Sequence, residues 1–192
     1  MTSSLYYRRS ETSGSCGTVQ TNSVQIIVNS PLVAGTVKSD QTICYGTSPG
    51  IFLTNTYPTG GTGSYTYQWQ KLVASSWTDI PTANSETYTS GALTSTSYFR
   101  RKETSGSCGT VNSNQITITV HSQFLPGVIG SSQTVNYGAV PAELVSVQSA
   151  TGGVGSFTYQ WQNSIDNSTW SNVTGATSES LQPPALTVKK YF

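Results

Sequence analysis

The segment "YYRRSETSGSCGTV" at residues 6–19 recurs as "YFRRKETSGSCGTV" at residues 98–111, an offset of 92 positions. The same offset relates "DQTICYG" at 40–46 to "SQTVNYG" at 132–138, and "GSYTYQWQ" at 63–70 to "GSFTYQWQ" at 155–162. A fixed period constrains the fold more than any other signal, because each copy must reach the same structure. Beyond residue 162 the offset becomes 93, since Trp77 matches Trp170 and Tyr98 matches Tyr191. One residue is therefore inserted between the two tryptophans of the later copy, which marks a loop there. The register defines three pieces: residues 1–30 are the C-terminal strands of a truncated repeat, 31–122 a complete repeat, and 123–192 the N-terminal part of a following repeat. On this reading the chain is a cut from a longer array.

Local patterns within the period favour strands. "YTYQWQ" alternates, with Tyr65, Tyr67 and Trp69 on one face and Thr66, Gln68 and Gln70 on the other. "NQITITV" alternates likewise, through Ile116, Ile118 and Val120. Turn signals separate such runs: Tyr45-Gly46, "PTGGTG" at 58–63 and "SGSCG" at 105–109. Short strands spaced by Gly, Pro, Ser and Asn predict an all-β Greek-key sandwich of about seven strands per 92-residue unit. The order of features resembles an immunoglobulin-like or fibronectin-like domain: a cysteine strand (Cys44), a strand with a central Trp69, then Tyr98 where a tyrosine corner is found. The resemblance departs at Arg100, which stands two residues after Tyr98 where that family places its second cysteine.

Composition narrows the function. Ser and Thr supply 59 of 192 residues, and charged residues only 9%, with nine Lys plus Arg against eight Asp plus Glu. Neither nucleic acid nor an anionic membrane surface is favoured as a partner by such a balance, and no apolar run is long enough to span a membrane. The 20 aromatic residues (11 Tyr, 5 Phe, 4 Trp) argue for a folded chain. Catalysis fails on inventory. His121 is the single histidine and sits at the joint between repeats. No Ser-His-Asp set, zinc site or calcium loop can be assembled around it. "TGGTG" and "TGGVG" read as hairpin loops and not as phosphate cradles, because no helix follows them. The chain is thus expected to be no enzyme and to need no cofactor or metal.

Cys44 and Cys108 are the only cysteine pair within the complete repeat, and a disulfide between them is expected, with Cys16 left free because its partner would lie upstream. Closing that 64-residue loop would contribute about 4 kcal/mol in the chain-entropy description, and a bridge would imply an oxidising, exported location. The alternative is three buried thiols. Trp69 and Trp161 are read as core; Trp77 and Trp170, beside the inserted loop, are the residues to test first for glycan contact. Arg8-Arg9 and Arg100-Arg101-Lys102, each followed by a glutamate, are read as solvent-facing positions paired across the sheet. Asn167-Ser168-Thr169 and Asn172-Val173-Thr174 match the glycosylation sequon.

Together "GGTGSYTYQWQ", "SYFRR", "SGSCGTVNSNQITITV" and "AGTVKSDQTICYGTSP" resemble the tandem repeats of giant Bacteroidota cell-surface adhesins, the SprB-like gliding-motility adhesins. The resemblance implies export by type IX secretion and display as an extracellular filament attached to the outer membrane. The implied partners are neighbouring repeats, the gliding and secretion machinery, and a polysaccharide or other substratum. Its implied function is adhesion and gliding motility without catalysis. A second reading makes each repeat a carbohydrate-binding module of a secreted polysaccharide-degrading enzyme. Because residues 1–30 carry the last strands of a sandwich and 123–192 the first, head-to-tail self-association by strand complementation is a further expectation.

Overall fold

The computed structural model describes residues 3–130 and 132–192 and is nearly all β. The chain divides into two units, residues 1–43 with 47–119, and residues 44–46 with 120–192.

Residues 31–122 hold β5 (Thr36–Lys38), β6 (Gln41–Ile43), β7 (Leu53–Thr56), β8 (Thr66–Val73), β9 (Ser76–Asp79), β10 (Ser97–Thr104), β11 (Thr110–Asn112) and β12 (Ile116–Val120). One sheet runs β6-β12-β10-β8-β9, with β11 also pairing β10. The second is β5-β7, and Tyr88 bridges to Phe52 just ahead of β7. The two sheets pack as a sandwich, as the alternating strands predict. β8 and β9 join through Ala74 and Ser75, both at positive φ (46° and 67°), the backbone that a two-residue hairpin requires.

The apolar core lies between the sheets. Val37, Phe52, Trp69, Phe99, Ile116 and Ile118 are buried. The Phe52 ring stands 5.0 Å from Phe99 and 5.7 Å from Trp69, in tilted contacts that suit aromatic quadrupoles. The Trp69 indole donates to the carbonyl oxygen of Ser85 at 3.0 Å, so its one polar atom is satisfied. Trp69 is core, as the alternation indicates, and so is Trp161, whose indole donates to Ser178 O at the same 3.0 Å.

Residues 5–26 reproduce part of this arrangement without the sandwich. β1 (Leu5–Tyr7), β2 (Ser10–Thr12), β3 (Thr18–Gln20) and β4 (Val24–Ile26) pair as β1-β4 and β2-β3. Leu5 faces Ile26 as Ser97 faces Ile118, and Ser10 faces Gln20 as Lys102 faces Asn112. The register is that of β10 with β12 and β11, shifted by the repeat. All four strands are exposed.

The second unit contains β13 (Val128–Ile129), β14 (Ser146–Gln148), β15 (Gln162–Asn163) and β16 (Ser171–Asn172), paired β13-β14 and β15-β16. β15 has two residues where its counterpart β8 has eight. The cause is the partner: β8 pairs with β10 from Thr66 to Lys71, and residues 120–192 carry only Tyr191-Phe192 of an equivalent strand.

β10 alternates strictly between buried and half-buried positions, and this corrects two expectations. Tyr98 lies on the outer face and makes no tyrosine corner into the core. Arg101 is not solvent-facing; with Glu103 it points between the sheets, both side chains fully buried. An inward-facing position on a central strand outweighs the polarity of its side chain when a complete set of partners is waiting. Removing one member of such a pair leaves a buried charge uncompensated, at a cost of about 3–5 kcal/mol. Glu103→Gln should therefore lower the urea midpoint of the first unit substantially, whereas Glu11→Gln at the equivalent exposed position should leave it nearly unchanged. Equal effects of the two changes would contradict this assignment.

Candidate functional site

The Arg101–Glu103 pair is the centre of a polar cluster inside an apolar sandwich. Arg101 Nη2 and Nε donate to Glu103 Oε1 at 2.7 and 3.0 Å. Arg101 Nη1 donates to Thr54 Oγ1 on β7 and to the carbonyl oxygen of Glu86, both at 2.6 Å. The guanidinium carbon lies 4.3 Å from the centre of the Tyr67 ring, a cation–π contact strengthened by exclusion of water. Glu103 Oε2 accepts the Gly35 N–H at 2.7 Å. Among the described residues no buried side-chain nitrogen or oxygen lacks a partner. Gly35 has to be glycine: a Cβ there would stand 2.4 Å from Thr56 O. The cluster joins β10 to β7, to β8, to the Glu86 loop and to the segment entering β5.

On the outer face of β10 a second polar row runs across the sheet. Arg100 Nε donates to Gln70 Oε1 at 2.7 Å, and its guanidinium lies 4.5 Å from the Trp77 ring centre. Gln70 Nε2 donates to Asp79 Oδ1 and Lys102 Nζ to Asp79 Oδ2, each at 2.6 Å. The Lys102 bond first and the Gln70 bond second hold the Asp79 carboxyl below its ordinary value. Pairing of Arg100 and Lys102 across the sheet is as the sequence indicates. One face of Trp77 is covered by Arg100, while Trp170 is 39% exposed.

The "TGGTG" and "TGGVG" loops are occupied by backbone. The Gly61 N–H donates to Ser30 O at 2.9 Å, and the Gly153 N–H donates to Ser122 O at 3.0 Å. Gly60 has φ of 76°, and a Cβ there would come within 2.0 Å of Pro31 O. Ser105, fully buried, accepts from Thr62 N at 2.9 Å and donates to Ser64 O at 2.9 Å, stapling this loop to the end of β10. Ser105 and Gly35 are residues that sequence reasoning missed. Their signal was present in the repeat identities, but nothing in their own chemistry marked them.

No disulfide joins Cys44 to Cys108. Cys108 lies in the turn beyond Thr104, where its thiol accepts from Asn29 Nδ2 at 3.4 Å. Cys44 falls between Ile43 and Thr47, and Thr47 bridges Leu93 on the approach to the other end of β10. An eight-residue strand spans roughly 25 Å, far beyond the ~7 Å Cα separation a disulfide tolerates. The cysteine pairing expected from the repeat count was therefore an error of counting without geometry. The alternative of three buried thiols fails too, because Cys16 and Cys44 are exposed. His121 is half-buried after β12, and among the described residues no group of His, Cys, Asp and Glu is placed to hold a metal.

In the later copy the inserted residue falls in a turn organised by Asp166. Its Oδ1 accepts the N–H groups of Ser168 and Thr169 at 2.8 Å and the Ser164 hydroxyl at 2.8 Å. Those bonds, Thr169 first, hold the Asp166 carboxyl far below its ordinary 3.8. Asn167, of the first sequon, occupies the exposed tip of this turn at φ 58°.

These features define an all-β protein with a sandwich-like domain, residues 31–122, closed by a buried ion pair. The chain belongs to the family described as Domain of unknown function (DUF8696), whose model matches residues 33–122 and again residues 125–192. No curated protein matches the chain. No helix among the described residues is long and apolar enough to cross a membrane.

Two measurements follow. Intact mass of the denatured, non-reduced chain should show all three cysteines with their hydrogens, and a loss of two hydrogens would restore the bridge. The Asp166 carboxyl, followed by NMR, should titrate well below 3.8. Because its folded value is depressed, its contribution to the turn is complete above the unfolded value and is lost as pH falls through the folded one. Asp166→Asn should abolish that dependence.

Proposed function

We propose that this chain is a non-catalytic repeat segment of a secreted cell-surface adhesin filament, of the SprB-like kind, acting in adhesion and gliding motility. The observation that carries the reading is the succession of two copies of one family domain, at residues 33–122 and 125–192, with the first copy held shut by interactions inside its own sandwich. Arrays of this kind derive their function from length and from the stability of each unit. An immunoglobulin-like arrangement of each repeat fits the same role, and the reading does not rest on a disulfide.

The clamp suits mechanical duty. Separating β10 from β5 and β7 would expose Arg101 and Glu103 together with Thr54 and Gly35, all of which lose partners at once. The carbohydrate-binding reading is weakened at Trp77, whose ring already carries Arg100.

Stretched singly by force spectroscopy, the chain should show an unfolding event with a contour-length gain on the order of 300 Å for the complete repeat. The force should drop in Glu103→Gln. Unfolding at negligible force would remove the spacer reading. A glycan array on which the chain is retained, and on which Trp77→Ala or Trp170→Ala loses that retention, would replace it with the carbohydrate-binding one.

A further inference from the structure

Within residues 31–122 the segment around Tyr88 forms an outer edge of the smaller sheet. Tyr88 and Phe52 bond in both directions, Phe52 N–H donating to Tyr88 O at 2.7 Å and Tyr88 N–H to Phe52 O at 3.4 Å. Main-chain groups alternate in direction along a strand, so those of the flanking Thr87 and Thr89 turn to the opposite side. Among the described residues they have no hydrogen-bond partner. Beside them runs an open groove of about 440 Å³, lined by Ile51, Pro81, Thr82, Ser85, Thr87 and Thr89 among others, and no charged residue lines it.

Natural sheets blunt such edges with charge, proline or a covering segment. The later copy does so at the same register. Leu181 bridges Leu144 there as Tyr88 bridges Phe52, but Glu143 replaces Ile51 and accepts the Ser180 hydroxyl. Two residues beyond the position of Thr89, Pro184 replaces Gly91 and has no N–H to offer. In the complete repeat β5 is also covered, since Asn114 takes both main-chain groups of Val37, at 2.7 and 2.8 Å. The Thr87–Thr89 edge has no such guard, and Ile51 beside it is 49% exposed. The edge is self-complementary as well. Across three antiparallel ladders this chain sets threonine opposite threonine, with hydroxyls 2.8 Å apart in Thr12–Thr18, Thr36–Thr56 and Thr104–Thr110. Two Thr87–Thr89 edges laid antiparallel bring each Thr87 opposite a Thr89 and repeat that pair twice.

We propose that the Thr87–Thr89 edge pairs with the same edge of a second copy of this chain. Each Thr87 and the Thr89 opposite it exchange both main-chain hydrogen bonds, as directly facing residues of an antiparallel pair do. Ile51 of each copy loses water along the same seam. Because the same patch serves both copies, the contact is isologous and closes at a dimer. The guarded edge of the later copy takes no part. The inference concerns one flank of one sandwich and does not rest on the adhesin reading.

The test is sedimentation velocity of the 192-residue chain from micromolar to millimolar concentration, with backbone amide NMR shifts followed over the same series. The unaltered chain should pass reversibly from monomer to dimer, and the Thr87 and Thr89 amides should move most. Thr89→Pro removes an N–H that no bond within the chain uses, a change that an outward-facing edge position tolerates. Ile51→Glu introduces the charge that guards the later copy. Each variant should raise the dimer dissociation constant by about tenfold or more, with circular dichroism checking that the fold is kept. Val73→Glu, at a residue 51% exposed at the end of β8, should associate like the unaltered chain. A monomer at every concentration, dimers unchanged in either edge variant, or an equal loss in Val73→Glu would each overturn the proposal.

Discussion

The sandwich of residues 31–122 is organised around one fully buried ion pair on its central strand. A charge pair between two sheets is costly to desolvate, and it is tolerated only when hydrogen bonds complete what Coulomb attraction leaves open. Arg101 and Glu103 meet that condition because each guanidinium nitrogen and each carboxylate oxygen has a partner, with Thr54, Glu86 and Gly35 supplying those the pair does not supply itself. The consequence is specificity: β5, β7, β8 and the Glu86 loop must all be in place before the pair can be buried. An apolar pair at these positions would pack, but it would not report whether Thr54 or Gly35 had arrived in register.

The same constraint explains the differences between the three pieces. Where the whole repeat is present, β8 and β10 extend to eight residues each and the aromatic core closes over them. Where only Tyr191-Phe192 stand in the β10 register, the partner strand has two residues. Where only the β10 to β12 equivalent is present, the strands pair correctly but remain exposed on both faces. Pairing is local to the hairpin; burial belongs to the sandwich.

Much of the fold was legible in the sequence. The period located the repeats, alternation in "YTYQWQ" and "NQITITV" identified strands, and Trp69 and Trp161, in the two copies of the first run, proved to be core. The site was less legible. An arginine beside another arginine and a lysine reads as surface by composition, since charged residues are almost never buried unpaired. Only the alternation of β10, which sets Arg101 in phase with the buried Phe99, contained the opposite answer. The cysteines show the converse failure: two in one repeat suggested a bridge, but sequence counting has no access to the length of strand lying between them.

By itself the sequence determined the repeat, the strand periods, the hairpin register and the Arg-x-Glu fork, which forms at Arg9–Glu11 as it does at Arg101–Glu103. All of these depend on residues close together along the chain or on a single hairpin. Tertiary structure alone decided that one fork is buried and the other solvated, that Gly35 and Ser105 matter, and that Cys44 and Cys108 stay apart. These depend on segments brought together across dozens of residues, and the free energy of burying a charge is set by what surrounds it, not by its neighbours in sequence.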